Sequence, residues 1–160
     1  VTPINLSTKY INDIENNTLL IFTGFSRLAD KIEKDKFTNI KSKKNQLLEI
    51  GKITNEAIKT FNNKFNILEL GKLLHESWKI KKSFSKIVTN KEIDLIYNKA
   101  LNNGAIGGKI LGAGGGGFLL LVAEKKNHIR IKKILNNLVF VPFKINFEGS
   151  KIVLNNPSGL

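Results

Sequence analysis

Apolar positions change period several times along this 160-residue chain, and each change marks an element. After an extended lead-in from Thr2 to Leu6, Ser7 stands as an N-cap for a brief helix carrying Tyr10, Ile11 and Ile14. Leu19 to Thr23 is a continuous branched run that predicts a buried strand, stopped by Gly24. Ser26 then caps a helix with Leu28 and Ile32 inward. From Lys41–Lys44 a longer helix begins, with Leu47, Ile50, Thr54, Ala57, Ile58 and Phe61 on one face and Gly51 allowing close approach.

Asn66, with Glu69 three residues on, opens the next helix, whose inward row is Leu70, Leu73, Leu74 and Trp78. Thr89-Asn90-Lys91-Glu92 reads as a capping box for a helix through Ile93, Ile96, Tyr97, Ala100 and Leu101 that ends at Gly104. A glycine-rich loop follows, then the apolar strand Phe118 to Val122. Asn127 opens a helix through Ile131, Ile134, Leu135 and Leu138. Val141, Phe143, Ile145 and Phe147 alternate as one face of a strand, and Gly149 turns the chain before Ile152 to Leu154. The pattern predicts one α+β domain over residues 1–160: two layers, a mostly antiparallel sheet covered by helices, without repeats or linkers.

The loop changes the picture most. Eight of the thirteen glycines fall between Gly104 and Gly117. Ordering consecutive glycines is entropically costly, so such a run belongs where backbone must approach something closely or adopt angles that a Cβ forbids. A run of free N–H groups beside Lys109 suits a phosphate. Two familiar motifs fail. The spaced glycines of the dinucleotide-binding pattern need a strand before and a helix after them, and here that order is reversed. The phosphate-binding loop pattern needs Ser or Thr after its lysine, and Lys109 is followed by Ile110.

What remains is helix, then Gly107-Gly108-Lys109-Ile110-Leu111-Gly112-Ala113-Gly114-Gly115-Gly116-Gly117, then strand. This order resembles the third motif of the GHMP kinases, the superfamily of galactokinase, homoserine kinase, mevalonate kinase and phosphomevalonate kinase. Leu20–Arg27, Leu74–Lys82 and Val141–Ser150 resemble, in chain order, the D-glycero-D-manno-heptose 7-phosphate kinase branch. The likeness covers nearly the whole chain. It implies the C-terminal half of an ATP-dependent kinase that phosphorylates the anomeric hydroxyl of a heptose 7-phosphate. Kinases of this kind carry upstream a Gly-Leu-Gly-Ser-Ser-type loop around the ATP phosphates, a Mg²⁺-binding acid and a candidate base. None of these is in the sequence, and the absence of methionine fits an excised C-terminal half. The resemblance therefore implies that ATP and Mg²⁺ are bound mainly by an N-terminal half, the expected partner, and that this chain alone is inactive and contributes no catalytic residue and no metal ligand.

On this reading Gly107, Gly108, Lys109, Gly112, Gly114, Gly115, Gly116 and Gly117 form the ATP-side phosphate loop. Arg27, His75, Lys79 and Lys82 are candidates for the sugar phosphate, a planar guanidinium after a strand end being well suited to it. Blander readings stand beside these: glycines as close packing, Lys109 and Arg27 as ordinary surface cations, His75 as a structural hydrogen bond. Lys81 and Lys82 are candidates for a second phosphate contact, with solvated lysine as the blander reading of each; Trp78, Ala105 and Leu111 read as packing, and Asp94 as a stabiliser of its helix start.

Composition bounds the rest. Zero cysteines exclude disulfides and thiolate metal sites, and two distant histidines make no zinc site. No apolar run reaches the length that spans a bilayer, so no membrane partner and a cytoplasmic place are expected. The net charge of +13 would suit nucleic acid. Yet the lysines are spread along the chain with Asn and Ile, as A/T-rich coding would give, and read as a solvated coat. A basic nucleic-acid-binding α+β module stays as the alternative, together with a GHMP kinase half acting on another small-molecule acceptor. The strands offer no solvent-facing stacking aromatics for the first of these.

Overall fold

The computed structural model describes residues 4–25, 43–63, 65–85 and 87–147. Its elements in order are α1 (Thr8–Asn16), β1 (Thr18–Phe22), α2 (Lys44–Asn62), α3 (Ile67–Phe84), α4 (Lys91–Asn102), β2 (Ala105–Ile110), β3 (Phe118–Ala123), a 3-10 turn (Lys125–Asn127), α5 (His128–Ile134) and β4 (Val139–Val141). The strands form one antiparallel sheet in the order β2-β3-β1-β4. This is the α+β architecture that the periodicity predicts.

Alternation along the strands decides what each face holds. Leu19 and Ile21 of β1 lie opposite Leu121 and Leu119 of β3, and these four side chains share one face. Against them pack Ile93, Tyr97 and Ala100 of α4 and Ile131 of α5, with Trp78 of α3 completing the main core. Val122 points the other way, into a smaller cluster with Phe65 and Ile67 that Tyr10, Leu70, Leu74 and Ile106 flank. The same second face carries Phe22 and Phe118, whose ring centroids lie 5.4 Å apart and which stay 37% and 41% exposed.

Several helix starts obey the capping chemistry read from the sequence. Ser7 Oγ accepts from the Tyr10 N–H, and Asn66 Oδ1 accepts from Leu68 N–H at 2.9 Å. Other expectations are corrected. The cap of α4 is Asn90, one residue later than the Thr89 box: Asn90 Oδ1 accepts from Ile93 N–H, while the Thr89 hydroxyl donates to Asp94. Asn127 makes no side-chain cap; its amide donates instead to the Gly104 carbonyl. The strand from Val141 to Phe147 stops at Val141. Pro142 has no N–H to continue the ladder, and Phe147 is 64% exposed. No residue of α2 is buried, so the face from Leu47 to Phe61 rests on α3 without being enclosed. The helix expected after Ser26, the turn at Gly149 and the segment Ile152 to Leu154 lie outside the described residues. No helix among the described residues is long and apolar enough to cross a membrane.

Candidate functional site

The glycine cluster divides into two parts with different physics. Residues 105–110, expected as loop, form β2. Gly107 pairs with Val122 and Gly108 with Leu121, in the ladder against β3. A Cβ on Gly107 would overlap the Gly71 carbonyl of α3, and one on Gly108 would overlap the Leu120 carbonyl. These two glycines let helix and strand backbones touch. They are packing residues, and their place in a phosphate loop is corrected. Lys109, on the face toward α3, donates to Ser77 Oγ at 3.2 Å.

The loop proper is Leu111 to Gly117, the connection between β2 and β3, closed by Leu111 N–H donating to the Phe118 carbonyl at 2.8 Å. Gly112, Gly114, Gly115, Gly116 and Gly117 all have positive φ, from 66° to 155°. Only glycine adopts such angles without strain, which is why Ala113 is the loop's one other residue after Leu111. The loop is tied down on three sides. Gly115 N–H donates to Val88 O at 2.6 Å and Gly117 N–H to Phe25 O at 2.7 Å; the Thr23 hydroxyl donates to Gly117 O at 2.9 Å. Lys81 of α3 donates to Gly112 O at 2.5 Å and reaches Ile110 O at 3.4 Å. Two expected phosphate donors, the amides of Gly115 and Gly117, are thus spent inside the protein. The N–H groups of Gly112, Gly114 and Gly116 donate to nothing among the described residues; Gly112 is exposed, Gly114 partly so, and Gly116 is buried against Phe25.

Of the predicted sugar-phosphate residues, the three that are described, His75, Lys79 and Lys82, take separate partners. Lys79 pairs with Glu76 one turn back at 2.9 Å, on the surface. Lys82 pairs with Asp94 at 3.1 Å and lies over the Trp78 ring, turned toward α4. Asp94 therefore does more than stabilise its helix start. His75 makes the structural hydrogen bond that is its blander reading. Tyr97 OH donates to Gly108 O at 3.2 Å, so His75 Nδ1 carries the hydrogen that it gives to the Tyr97 oxygen at 2.7 Å. The rings stack nearly parallel. Burial, then the charge of Lys79, holds the His75 pKa below the usual histidine value, so the ring is neutral at pH 7. Burial likewise raises the Tyr97 pKa, keeping its hydroxyl a donor. Arg27 lies outside the described residues. Trp78 and Ala105 are buried as expected, whereas Leu111 is 40% exposed at the loop's start.

Among the described residues, Lys81 bonds to the loop and Lys109 stands in the strand that leads into it. Both line a cleft of about 270 Å³ between α2 and α3, with Leu47, Ile50, Ser77 and Phe84. Reading Lys81 as solvated missed its role as the loop's clamp. The signal was slight: one lysine among Lys79, Lys81 and Lys82, told apart only by which side of the helix meets β2. Among the described residues no group of three His, Cys, Asp or Glu could hold a metal.

Comparison with known proteins bears on the fold and the family. Residues 55–139, from within α2 to the start of β4, match the family model for the C-terminal domain of GHMP kinases. The chain is 34% identical over 155 residues to a D-glycero-alpha-D-manno-heptose 7-phosphate kinase of Campylobacter jejuni, covering 94% of this chain and 45% of that enzyme. It is 40% identical over 93 residues to a galactokinase of Clostridium tetani, covering 56% of this chain and 24% of that one. The fold superposes on L. major mevalonate kinase with a TM-score of 0.68 at 20% identity, covering 85% of this chain and 40% of that chain. The chain thus spans less than half the length of each.

Proposed function

We propose that this chain, which belongs to the GHMP kinases through their C-terminal domain, is the C-terminal half of an ATP-dependent kinase for the anomeric hydroxyl of D-glycero-D-manno-heptose 7-phosphate. The observation that carries the reading is the loop from Leu111 to Gly117. Its backbone is held at angles that glycine tolerates, the N–H groups of Gly112, Gly114 and Gly116 donate to nothing among the described residues, and Lys81 clamps Gly112. Oriented amides held in advance of the reaction stabilise charge on a transferring phosphoryl group at no cost in reorganisation.

In this reading the sugar hydroxyl oxygen attacks the γ-phosphorus, the bond to the bridging oxygen breaks, and ADP leaves. This half supplies position and charge; the proton acceptor, the nucleotide contacts and any Mg²⁺ belong to the N-terminal half, the partner. The exposed Phe22 and Phe118 rings on β1 and β3 are an apolar surface that such a half would cover. Lys81 and Lys109 join Arg27 as cations for the remote phosphate, since an unpaired desolvated dianion would be costly.

The test is a coupled ADP-release assay on the intact enzyme with heptose 7-phosphate, galactose or mevalonate as acceptor. Turnover confined to the heptose phosphate is the expected result, with none from the 160-residue chain alone. Preference for another acceptor overturns the substrate assignment, and turnover by the chain alone overturns the division of labour. In the same assay Arg27→Ala raises KM for the sugar and leaves KM for ATP unchanged, as loss of a charged hydrogen bond worth about 1.5–3 kcal/mol would.

A further inference from the structure

We propose that the cleft between α5 and the start of β1 is a second binding site, for a small organic anion with an apolar ring or chain, remote from the glycine loop. The cleft has a volume of about 460 Å³, within the range of small-molecule sites. Its floor is Leu19, Phe140 and Phe143, and one wall carries Lys125, His128 and Lys132.

Charge makes the choice of ligand. The cleft's one carboxylate, Glu15, is already answered: Ile145 N–H donates to Oε1 at 2.9 Å and Lys144 pairs with Oε2 at 2.5 Å. Neither Lys125 nor Lys132 forms an ion pair among the described residues, although Lys132 lies 5.6 Å over the Phe140 ring. His128 Nε2 lies 3.0 Å from the Ala123 carbonyl, which can only accept, so that nitrogen carries its hydrogen and the ring is fixed in the wall. Burial, and after it the charges of Lys132 and Lys125, lowers the His128 pKa, and all three side chains line the cleft. Two cations without an ion pair among the described residues, set in a cleft with an apolar lining, suit an anionic head on a hydrophobic body.

The site is separate from the phosphoryl chemistry. β1 starts at the cleft with Thr18 and Leu19 and ends at Phe22, next to the Thr23–Gly117 contact. The cleft reaches along β1 as far as Leu20, and three residues at about 3.3 Å each put the Thr23–Gly117 contact about 10 Å beyond it. The inference does not depend on the kinase reading.

Amide NMR titration of the 160-residue chain with phenyl phosphate tests it, with inorganic phosphate and benzyl alcohol as the anion without ring and the ring without anion. Phenyl phosphate is expected to shift the amides of Lys125, His128, Lys132 and Phe143 saturably, at least about tenfold more tightly than either half-probe. Lys125→Ala/Lys132→Ala then weakens it by about tenfold or more, while Lys52→Ala/Lys91→Ala leaves it unchanged. Because Lys132 also packs on Phe140, the exposed Lys125→Ala is made alone and must weaken binding by about threefold or more. Equal binding of phenyl phosphate and inorganic phosphate, equal loss in the two lysine pairs, or shifts confined to Leu111–Gly117 would each overturn the site.

Discussion

Lys81 and Gly112, 31 positions apart, are joined by a hydrogen bond of 2.5 Å that ties α3 to the start of the glycine loop. The bond matters because Gly112 has nothing near its missing Cβ to hold it, only a φ of 66°. A cation supplied from a neighbouring helix thus fixes a residue that its own surroundings do not.

Lys81→Met in the intact kinase keeps the aliphatic stem and removes the donors. Loss of the clamp is expected to lower turnover by about tenfold, equivalent to about 1.4 kcal/mol on the barrier. Lys79→Met removes only a surface pair and is expected to change turnover by less than about twofold. Steady-state kinetics of the two variants decide this: equal effects would mean that Lys81 does not act through the loop.

Two glycine substitutions separate packing from conformation. Gly107→Ala forces a Cβ into the Gly71 carbonyl between β2 and α3, and overpacking of this kind costs about 1–3 kcal/mol. Gly112→Ala meets no atom and pays only the left-handed angle, about 1–2 kcal/mol. Urea unfolding of this chain should show the larger loss at Gly107, and kinetics of the intact enzyme the more selective loss of turnover at Gly112. Unchanged turnover in a folded Gly112→Ala enzyme would sink the proposed role of the loop.

Both histidines make stability depend on pH in one direction. Burial is the first cause of the lowered pKa at His75 and at His128. Below the unfolded value of about 6.5 the unfolded chain binds protons that the folded chain resists. Their contribution is therefore complete above about pH 6.5 and is lost as pH falls toward the folded values. Urea midpoints are expected to drop between pH 7 and pH 5, and a His75→Gln/His128→Gln variant to flatten that slope. A slope unchanged in the double variant would show that other groups carry it.

Glu15 acts at lower pH. The hydrogen bond from Lys144, with that from Ile145 N–H, lowers its pKa, so this contact stabilises the fold above the usual carboxylate range and fades as pH falls through the folded value. Lys144→Ala is expected to lower stability at neutral pH, to change little below the folded value, and so to make the acid limb shallower. A curve unchanged at neutral pH would mean that the pair adds nothing to the fold.

Most of the elements were legible because they rest on local chemistry. Ser7, Asn66 and Asn90 announce helix starts through side-chain oxygens that reach their own first turn. Leu19 to Phe22 and Phe118 to Val122 announce strands by shape. The resemblance in the glycine run and its flanking segments pointed to the family that the comparison shows. Local spacing failed where a distant backbone made the decision. Gly107 and Gly108 look like loop in one dimension and become strand only because α3 and β3 press against them.

Sequence alone determined the antiparallel α+β class and a glycine requirement between Gly112 and Gly117, since these follow from periodicity and from a residue type that tolerates special angles, and it carried the family through a resemblance of motifs in chain order. Tertiary structure decided which cations meet the loop. Lys79, Lys81 and Lys82 differ by one or two positions, and at 3.6 residues per turn that is enough to aim them at solvent, at Gly112 and at Asp94. It likewise decided which amides stay available, because Val88 and Phe25, 27 and 92 positions from their partners, take those of Gly115 and Gly117. Contacts of that range cost the chain loop-closure entropy and leave no periodic trace in the sequence.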